Sequence, residues 1–557
     1  MKHKFGLTSF FAVLVTALAV ISFQSCSKKL DEAYLNPNNP LEGAIESILP
    51  NVINQMTSTA APPAGGGGGS YGPVTESVNL AKYIQYWNSY TTGDQYDQLG
   101  GVYGTTSDNT GLVWAMHYYG IGQNAKYIIS RGKEQKKWDY VGVANAIFAF
   151  SWLTLTEEYG EVILKQAFDV TKDQFAYDQQ SAVYDTVRQI CDSAIFYLNR
   201  TDGASSAANL AIGDGYMYGG DANKWKKFIY AIKARTFAHL SNKSFYSTKG
   251  YADSVIKYCD LSITNNADNA MQKWVGGNFS GTNNYFGTYR GNIATIRQSA
   301  FIANLLTGVA PTSPFKGITD PRTPYLLTEN TNGTYKGVLP NLGTSGLVAA
   351  DQPKSFWRQA FSSVTTSPAP PDSGRYIFNN LAPFPIITAS DVLFMKAEAA
   401  FRKGDKALAL AAYTNGINAS FDLLINTYQT RIPSPSQITP ASRAAYLSNP
   451  AVVPTAAALS LSQIMLQKYI ALYGYGFNET WVDMRRFHYI DKDPTTGNQV
   501  YADFTLPTTL HIYNSGKLAY RCRPRYNSEY LYNIPALQTI GALASDYHTK
   551  EHWFSQP

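Results

Sequence analysis

The 557-residue sequence predicts an all-α protein in which paired helices are interrupted by long irregular insertions. Apolar residues recur at spacings of three and four along several segments, which is the periodicity of a helix with one buried face. Capping residues and a glycine separate two of these segments by only two residues. Stretches rich in glycine, proline, serine and threonine break the helical pattern at three places.

The helical periodicity is clearest in three segments, each of which makes one apolar face. These segments contain Val141, Ala144, Phe148, Trp152 and Leu155; Trp225, Phe228, Ile232 and Thr236; and Leu461, Ile464, Met465, Tyr469 and Leu472.

A helix pair is predicted between residues 388 and 424. Thr388 and Asp391 form a capping-box pattern before a helical run, Gly404 ends that run, and Asp405 can cap the next helix. A two-residue connection forces the two helices to lie antiparallel, as in the units of tetratricopeptide-type stacks. No strict 34-residue repeat is present, so the sequence predicts helical pairs and not a regular array.

Three insertions interrupt the helices, near residues 61–72, 274–291 and 307–385. Loops of this length inside a compact protein are usually functional or disordered. These insertions carry aromatic residues, which disordered linkers generally lack. We therefore expect residues 41–557 to form a single helical domain whose insertions carry function.

The N-terminus has the features of a secretion signal. Lys2 and Lys4 precede an apolar stretch from Phe10 to Phe23, which is shorter than the roughly 20 residues that span a bilayer. Ser25 and Cys26 resemble the lipobox of bacterial lipoproteins, in which the cysteine is lipidated. This predicts a signal peptide over residues 1–25, lipidation of Cys26 and a tether over residues 26–40; the alternative is an uncleaved or ordinary signal.

The composition excludes some partners and favours others. The formal net charge of +6 falls to +4 once Lys2 and Lys4 leave with the signal, and no basic block remains, so nucleic acid is not an expected partner. The chain has 40 tyrosines and 9 tryptophans but only 15% charged residues, so it has many rings to bury or to display. Cys191 and Cys259 lie in the apolar stripes of predicted helices, which favours buried thiols over a disulfide between them.

Motifs for catalysis and for metal binding are lacking in the sequence. There is no HExxH, no CxxC pair and no phosphate-binding Gly-Lys-Ser/Thr, and we expect neither a metal nor a cofactor. Glu157, Glu158, Glu479 and Asp483 could supply paired carboxylates, which would make the alternative function that of a helical surface glycoside hydrolase. Ion pairing inside the fold is the competing interpretation of the last two, which lie among Trp481 and two arginines.

Two aromatic segments are candidates for binding a flat apolar ligand face, such as the C–H face of a sugar ring. The first contains Trp87, Tyr90 and Tyr96, although the spacing of its early part is equally consistent with a packed helix face. The second candidate set is Trp274, Tyr285, Tyr289 and Arg290 in the second insertion. Asn278, Asn283 and Asn284 in that insertion could hydrogen-bond the hydroxyl rim of a sugar, and Trp357 is a reserve candidate.

Several segments together resemble the SusD/RagB family of outer-membrane glycan-capture lipoproteins, in the branch called SusD-like type 2. They are Cys26 with its lipobox, YGEVILKQAFD at 159–169, DANKWKKFIYAIKAR at 221–235, DPRTPY at 320–325, FPIITASDVLFMKAEAAFRKGD at 384–405, QKYIALYGYGFNETWVDMRR at 467–486 and RPRYNSEYLYN at 523–533. The segments lie in order and cover nearly the whole chain.

The resemblance implies a scaffold of four tetratricopeptide-like helix pairs with loops on the other side. It also implies a non-catalytic, lipid-anchored protein on the surface of the outer membrane, which passes oligosaccharide to a TonB-dependent, SusC-like transporter. On this interpretation the Trp481, Asp483, Arg485 and Arg486 motif and residues 523–533 are structural signatures and not ligand contacts.

Overall fold

The computed structural model describes residues 43–59, 70–93, 97, 99, 110–359, 373–506, 508 and 510–557. The predicted signal, Cys26, the tether and Tyr96 lie outside these residues, as do residues 61–69 of the first insertion and 360–372 of the third.

The described residues form helices and only short strands, so the predicted all-α class is confirmed. The helices are α1 Ile45–Gln55, α2 Pro73–Tyr83, α3 Leu112–Ala115, α4 Gly122–Glu134, α5 Trp138–Tyr159, α6 Gln180–Leu198, α7 Ala207–Gly213, α8 Ala222–Ala238, α9 Tyr251–Asp260, α10 Ala300–Thr307, α11 Thr323–Leu326, α12 Ala389–Lys403, α13 Lys406–Leu423, α14 Pro440–Leu447, α15 Leu461–Ala471, α16 Phe477–Arg486 and α17 Ile534–Thr539. The strands are β1 Trp87–Ser89, β2 Ala270–Gln272, β3 Ile296–Gln298 and β4 Phe384–Ile387.

The long helices form one continuous row. Helix α4 packs on α5, α5 on α6, α6 on α8, α8 on α9, α9 on α12, and α12 on α13. Each helix therefore buries its apolar stripe against a neighbour on either side, as tetratricopeptide-type stacks do. Helices α15 and α16 close the row, with α15 on α12 and α16 on α2.

The predicted connection between α12 and α13 is present. The Thr388 side chain accepts a hydrogen bond from the Asp391 N–H, and α12 ends at Lys403. Gly404 follows with φ of 88°, a left-handed conformation that favours glycine, and Asp405 caps α13 by accepting from the Leu408 N–H at 3.0 Å. Only two residues separate the helices. The residues that end α12 and begin α13, and their positions, were therefore predictable from the sequence.

Two short antiparallel sheets fix the insertions to the helical row. Strand β1 pairs with β3, with Trp87 opposite Gln298. Strand β2 pairs with β4 through a register irregularity, with Gln272 opposite Phe384. Because β4 leads directly into α12 and β2 leads into the second insertion, this insertion starts from a fixed position beside the scaffold.

The core contains the three cysteines that fall within the described residues, Cys191, Cys259 and Cys522, all buried and free. The predicted buried thiols at Cys191 and Cys259 are therefore confirmed. None of the helices in the described part of the chain combines the length and the apolar composition that crossing a bilayer requires.

Candidate functional site

The second insertion forms one wall of a surface cleft of about 310 Å³, which we call the Trp274 cleft. Its aromatic lining is Tyr216, Trp274 and Phe279, and its polar lining includes Asn51, Asn54, Lys273 and Thr282. The aromatic rings and the polar side chains come from α1, from the segment after α7 and from the insertion itself.

Hydrogen bonds within the insertion hold this wall in place. The Lys273 N–H donates to the Tyr216 carbonyl at 2.8 Å, so the chain leaves β2 against the segment that carries Tyr216. Gly276 and Gly277 have φ of 74° and 91°, values that favour glycine, and they let the insertion turn back on itself. The Asn283 side chain closes that turn, since it donates to the carbonyls of Gly277 and Phe279 at 2.9 Å each.

The cleft offers both apolar faces and exposed polar side chains. Phe279 is 52% exposed and Tyr216 is 37% exposed, so both rings present a face to solvent. Trp274 is 9% exposed, and its indole Nε1 is buried without a hydrogen-bond partner. The polar groups that a ligand can reach are the exposed side chains of Asn51 and Lys273.

The cleft's polar side chains are partly fixed by each other. The Gln272 Nε2 donates to Asn54 Oδ1 at 2.6 Å, and Gln272 Oε1 accepts from the Thr57 hydroxyl at 2.8 Å. Lys273 is exposed and is the charged residue of the lining, which contains no carboxylate. The cleft therefore suits a hydroxyl-rich ligand that is neutral or anionic.

The other predicted residues of this insertion have different environments. Tyr285 is buried, and the Arg290 guanidinium lies 4.9 Å from its ring centroid. Arg290 Nη2 donates to the Thr59 carbonyl and the Ser70 hydroxyl at 2.8 Å each, and burial lowers the pKa of Arg290 to about 10. This pair braces the insertion against the first one. Tyr289 is exposed but lies outside the lining of the Trp274 cleft.

The asparagines of the insertion only partly match their expected role. Asn283 and Asn284 are buried, and Asn284 donates to the carbonyls of Ile377 and Ala382. Their amides satisfy backbone groups and are not available to a sugar rim, so this expectation was wrong for both residues. Asn278 is exposed.

Trp87 of the first aromatic segment lies in the core. It is 1% exposed and packs against Phe286 and Phe356, so its ring has no face open to a ligand; it is buried as part of strand β1 and not on a helix face. Trp357 is also buried and donates its Nε1 hydrogen to the Phe286 carbonyl at 2.8 Å. Tyr90 is half-buried, with the Arg297 guanidinium 5.3 Å from its ring centroid.

A second cleft, of about 650 Å³, was not expected from the sequence. We call it the Tyr532 cleft; its lining includes Tyr119, Phe168, Asp169, Asp173, Glu529 and Tyr532. Tyr532 is 69% exposed, although the segment 523–533 was expected to be structural. Residues about 120 and 530 meet only in the folded chain, and no local spacing relates them.

The four candidate carboxylates are buried and do not form an accessible hydrolytic pair. Glu157, Glu158, Glu479 and Asp483 are all at most 4% exposed. Three of the four belong to a buried ion cluster that consists of Glu157, Arg235, His239, Asp391, Glu398, Lys468, Glu479, Asp483 and Arg486. The ion-pair interpretation of Glu479 and Asp483 is therefore confirmed.

Lys468 lies at the centre of the ion cluster. Its Nζ is 2.8 Å from both Glu479 Oε1 and Asp483 Oδ2 and 3.6 Å from Asp391 Oδ1. Burial would raise the pKa of Glu479, but Arg235 and Lys468 outweigh it and lower that pKa well below its usual range. The WVDMRR motif thus joins α16 to α12 and α15, which is a structural role.

Known proteins share both the sequence pattern and the fold. Residues 37–508 match the SusD-like 2 family, described as starch-binding and associating with the outer membrane. No curated protein matches the chain significantly in sequence.

Solved structures with this fold cover nearly the whole chain. A SusD/RagB family protein from Bacteroides thetaiotaomicron has 20% identity and a TM-score of 0.62, covering 92% of this chain and 99% of its own. A SusD homologue from Bacteroides fragilis has 18% identity and a TM-score of 0.64, with coverage of 92% and 100%. A chitin-binding SusD homologue from Flavobacterium johnsoniae has 17% identity and a TM-score of 0.59, with coverage of 92% and 98%. At these identities the structures show the shared fold. The family match over residues 37–508 shows that this chain belongs to the SusD-like family.

Proposed function

We propose that this protein captures oligosaccharide in the Trp274 cleft and delivers it to a TonB-dependent, SusC-like transporter of the outer membrane, without cleaving it. The observation that carries the proposal is one cleft that combines open aromatic faces with exposed polar side chains. The description of the family as starch-binding and the chitin-binding homologue both support a glycan ligand.

The chemistry of the cleft matches a sugar ring. A pyranose has a face of C–H groups and a rim of hydroxyls, so Tyr216 or Phe279 would cover the face while Asn51 and Lys273 meet the rim. Stacking of a base on an aromatic ring contributes about 1 to 3 kcal/mol, and a sugar face, which has no π system, belongs at the low end. Two or three rings then give about 2 to 3 kcal/mol, which corresponds to a Kd of roughly 10 mM. Weak binding suits a protein that must release its cargo.

Substitutions in the cleft test where the glycan binds. Titration of the soluble chain against starch and chitin oligosaccharides and a wider polysaccharide panel should find a ligand. Tyr216→Ala and Phe279→Ala should each weaken its affinity by about fivefold to tenfold, since each removes one stacking face. Asn51→Ala removes an exposed polar side chain of the lining and should also weaken binding.

Two further variants distinguish a wrong binding site from a wrong function. Phe196→Ala removes a ring that is 61% exposed on α6, away from both clefts, and should leave affinity unchanged. If Tyr532→Ala abolishes binding and the Trp274-cleft variants do not, the glycan binds in the other cleft and our site is wrong. If no glycan binds to the folded protein, or if the protein releases reducing sugar from a glycan, the proposal of capture without catalysis is wrong.

The anchor and the transporter need a separate test in the native cell. Tagged wild-type protein should remain in the outer-membrane fraction and co-purify with a TonB-dependent barrel after detergent extraction. Cys26→Ser should move the protein into the soluble fraction, because it removes the predicted acylation site. Retention of this variant in the membrane would exclude lipidation of Cys26 as the anchor.

A further inference from the structure

A second group of buried polar side chains lies apart from both clefts and from the ion cluster. Glu76 on α2, Glu158 near the end of α5 and Cys522 are each fully buried. One carboxylate oxygen of each glutamate and the Cys522 sulfur all lie within 4.8 Å of one another. It is the one such three-residue group of His, Cys, Asp and Glu in the parts of the chain that the structure describes.

Backbone contacts fix the three side chains in place. The Cys522 N–H donates to the Glu158 carbonyl at 2.7 Å, which holds this C-terminal segment against the end of α5. Glu76 accepts from the Leu112 N–H at 2.9 Å, at the start of α3. Arg521, next to Cys522 in sequence, binds Glu161 at 2.6 Å and is therefore engaged elsewhere.

The environment of the Glu158 side chain indicates that a ligand binds here. Both of its carboxylate oxygens are buried and have no hydrogen-bond partner. No other side chain or backbone group in the described residues hydrogen-bonds to them. Buried polar groups in native proteins almost always have a hydrogen-bond partner, and a buried carboxyl without one is destabilising.

Arg485 does not supply the missing partner. It lies close enough to oppose the rise in the pKa of Glu158 that burial and Glu76 cause. Its Nη1, however, donates to the carbonyls of Glu157 and Tyr520, at 2.7 and 3.0 Å.

We propose that Glu76, Glu158 and Cys522 bind one divalent cation of the zinc class. Two carboxylate oxygens and one thiolate are a donor set that zinc accepts, and the sulfur disfavours magnesium and calcium. On binding, the Cys522 thiol and the two carboxyls release to solvent the protons that they hold, so that all three ligands are ionised. The three ionised ligands then carry three negative charges, which a divalent cation and Arg485 together neutralise. The ion would tie α2, α5 and the C-terminal segment to one point.

Metal content of the purified chain tests the site directly. Protein produced in zinc-supplemented medium should retain about one zinc per chain after dialysis, measured by elemental analysis. Glu158→Gln and Cys522→Ser should each lose that zinc, whereas Cys191→Ser, which removes a buried thiol on α6, should keep it. A strong chelator should lower the melting temperature of wild-type protein and leave that of Glu158→Gln unchanged.

Cobalt(II) gives a readout that needs no variant. Loaded into the wild-type chain, it should produce the near-ultraviolet absorption of a thiolate-to-cobalt bond. The proposal is overturned if the chain is free of metal and zinc does not shift its melting temperature, if Glu158→Gln keeps the zinc, or if cobalt shows no thiolate band. Because these measurements involve no glycan, their failure would leave the function of the Trp274 cleft unaffected.

Discussion

Replacement of Lys468 with methionine should lower the free energy of unfolding by about 3 to 5 kcal/mol. The substitution keeps most of the buried stem but removes the ammonium that lies 2.8 Å from Glu479 and from Asp483. Both carboxylates are at most 4% exposed and would remain buried without their central cation. Guanidinium denaturation at neutral pH, followed by circular dichroism, would measure the change.

Lys403 provides the matched control for this prediction. Its Nζ lies 2.6 Å from Asp253, but the two side chains are 47% and 63% exposed. Solvent screens such a pair, so Lys403→Met should leave the denaturation midpoint nearly unchanged. Equal effects of the two substitutions would mean that the buried ion cluster does not depend on its central lysine.

The stability of the fold should also decrease as the pH rises from about 6.5 to 9, because of His239. Burial alone would lower the pKa of His239, but Glu479 and Glu157 outweigh it and raise the pKa to about 9. The ring nitrogens lie 2.5 Å from Glu157 and 3.1 Å from Glu479, and Tyr184 donates to the same Glu157 oxygen.

The sign follows from the two pKa values of this histidine. In the unfolded chain the pKa is about 6.5, so the folded state holds the proton more tightly. The stabilisation is complete below about pH 6.5 and is lost as the pH rises through the folded value, a change of about 3 kcal/mol. Denaturation midpoints at pH 6, 7, 8 and 9 should fall for the wild type, and His239→Gln should flatten this dependence.

His488 is the control because it titrates in the same range. Hydrogen bonding to Glu551 raises the pKa of His488 to about 9, against the effect of burial and with help from Asp491. Its side chain is 33% exposed, so solvent screening reduces its contribution, and His488→Gln should remove a smaller part of the pH dependence. If His239→Gln leaves the slope intact, the charged imidazolium is not what stabilises the cluster.

Local sequence signals predicted the scaffold correctly. The apolar spacing from Val141 to Leu155 and the caps at Thr388 and Asp405 are patterns over three or four residues. The structure contains the first in α5 and the caps at the starts of α12 and α13. Helix periodicity and capping depend on residues that are close in sequence, so both can be recognised from the sequence alone.

The candidate site depends on contacts that are distant in sequence. Trp87 is buried because Phe286 and Phe356 cover it, and neither is near it in sequence. Trp274 was predicted, but its cleft partner Tyr216 is 58 positions earlier and is brought to it by the fold. Asn283 has the same sequence signature whether it meets a sugar or a backbone carbonyl, and only the structure distinguishes these cases.

The hydrogen bonds that Asn283 and Asn284 make to carbonyls give the Trp274 cleft a preorganised wall. A ligand that enters it need not order the loop first, so little conformational entropy is lost on association. The association rate should then be set by diffusion, and the dissociation rate by the strength of the contacts between the ligand and the cleft. Rapid exchange is what the proposed capture and release of a glycan would require.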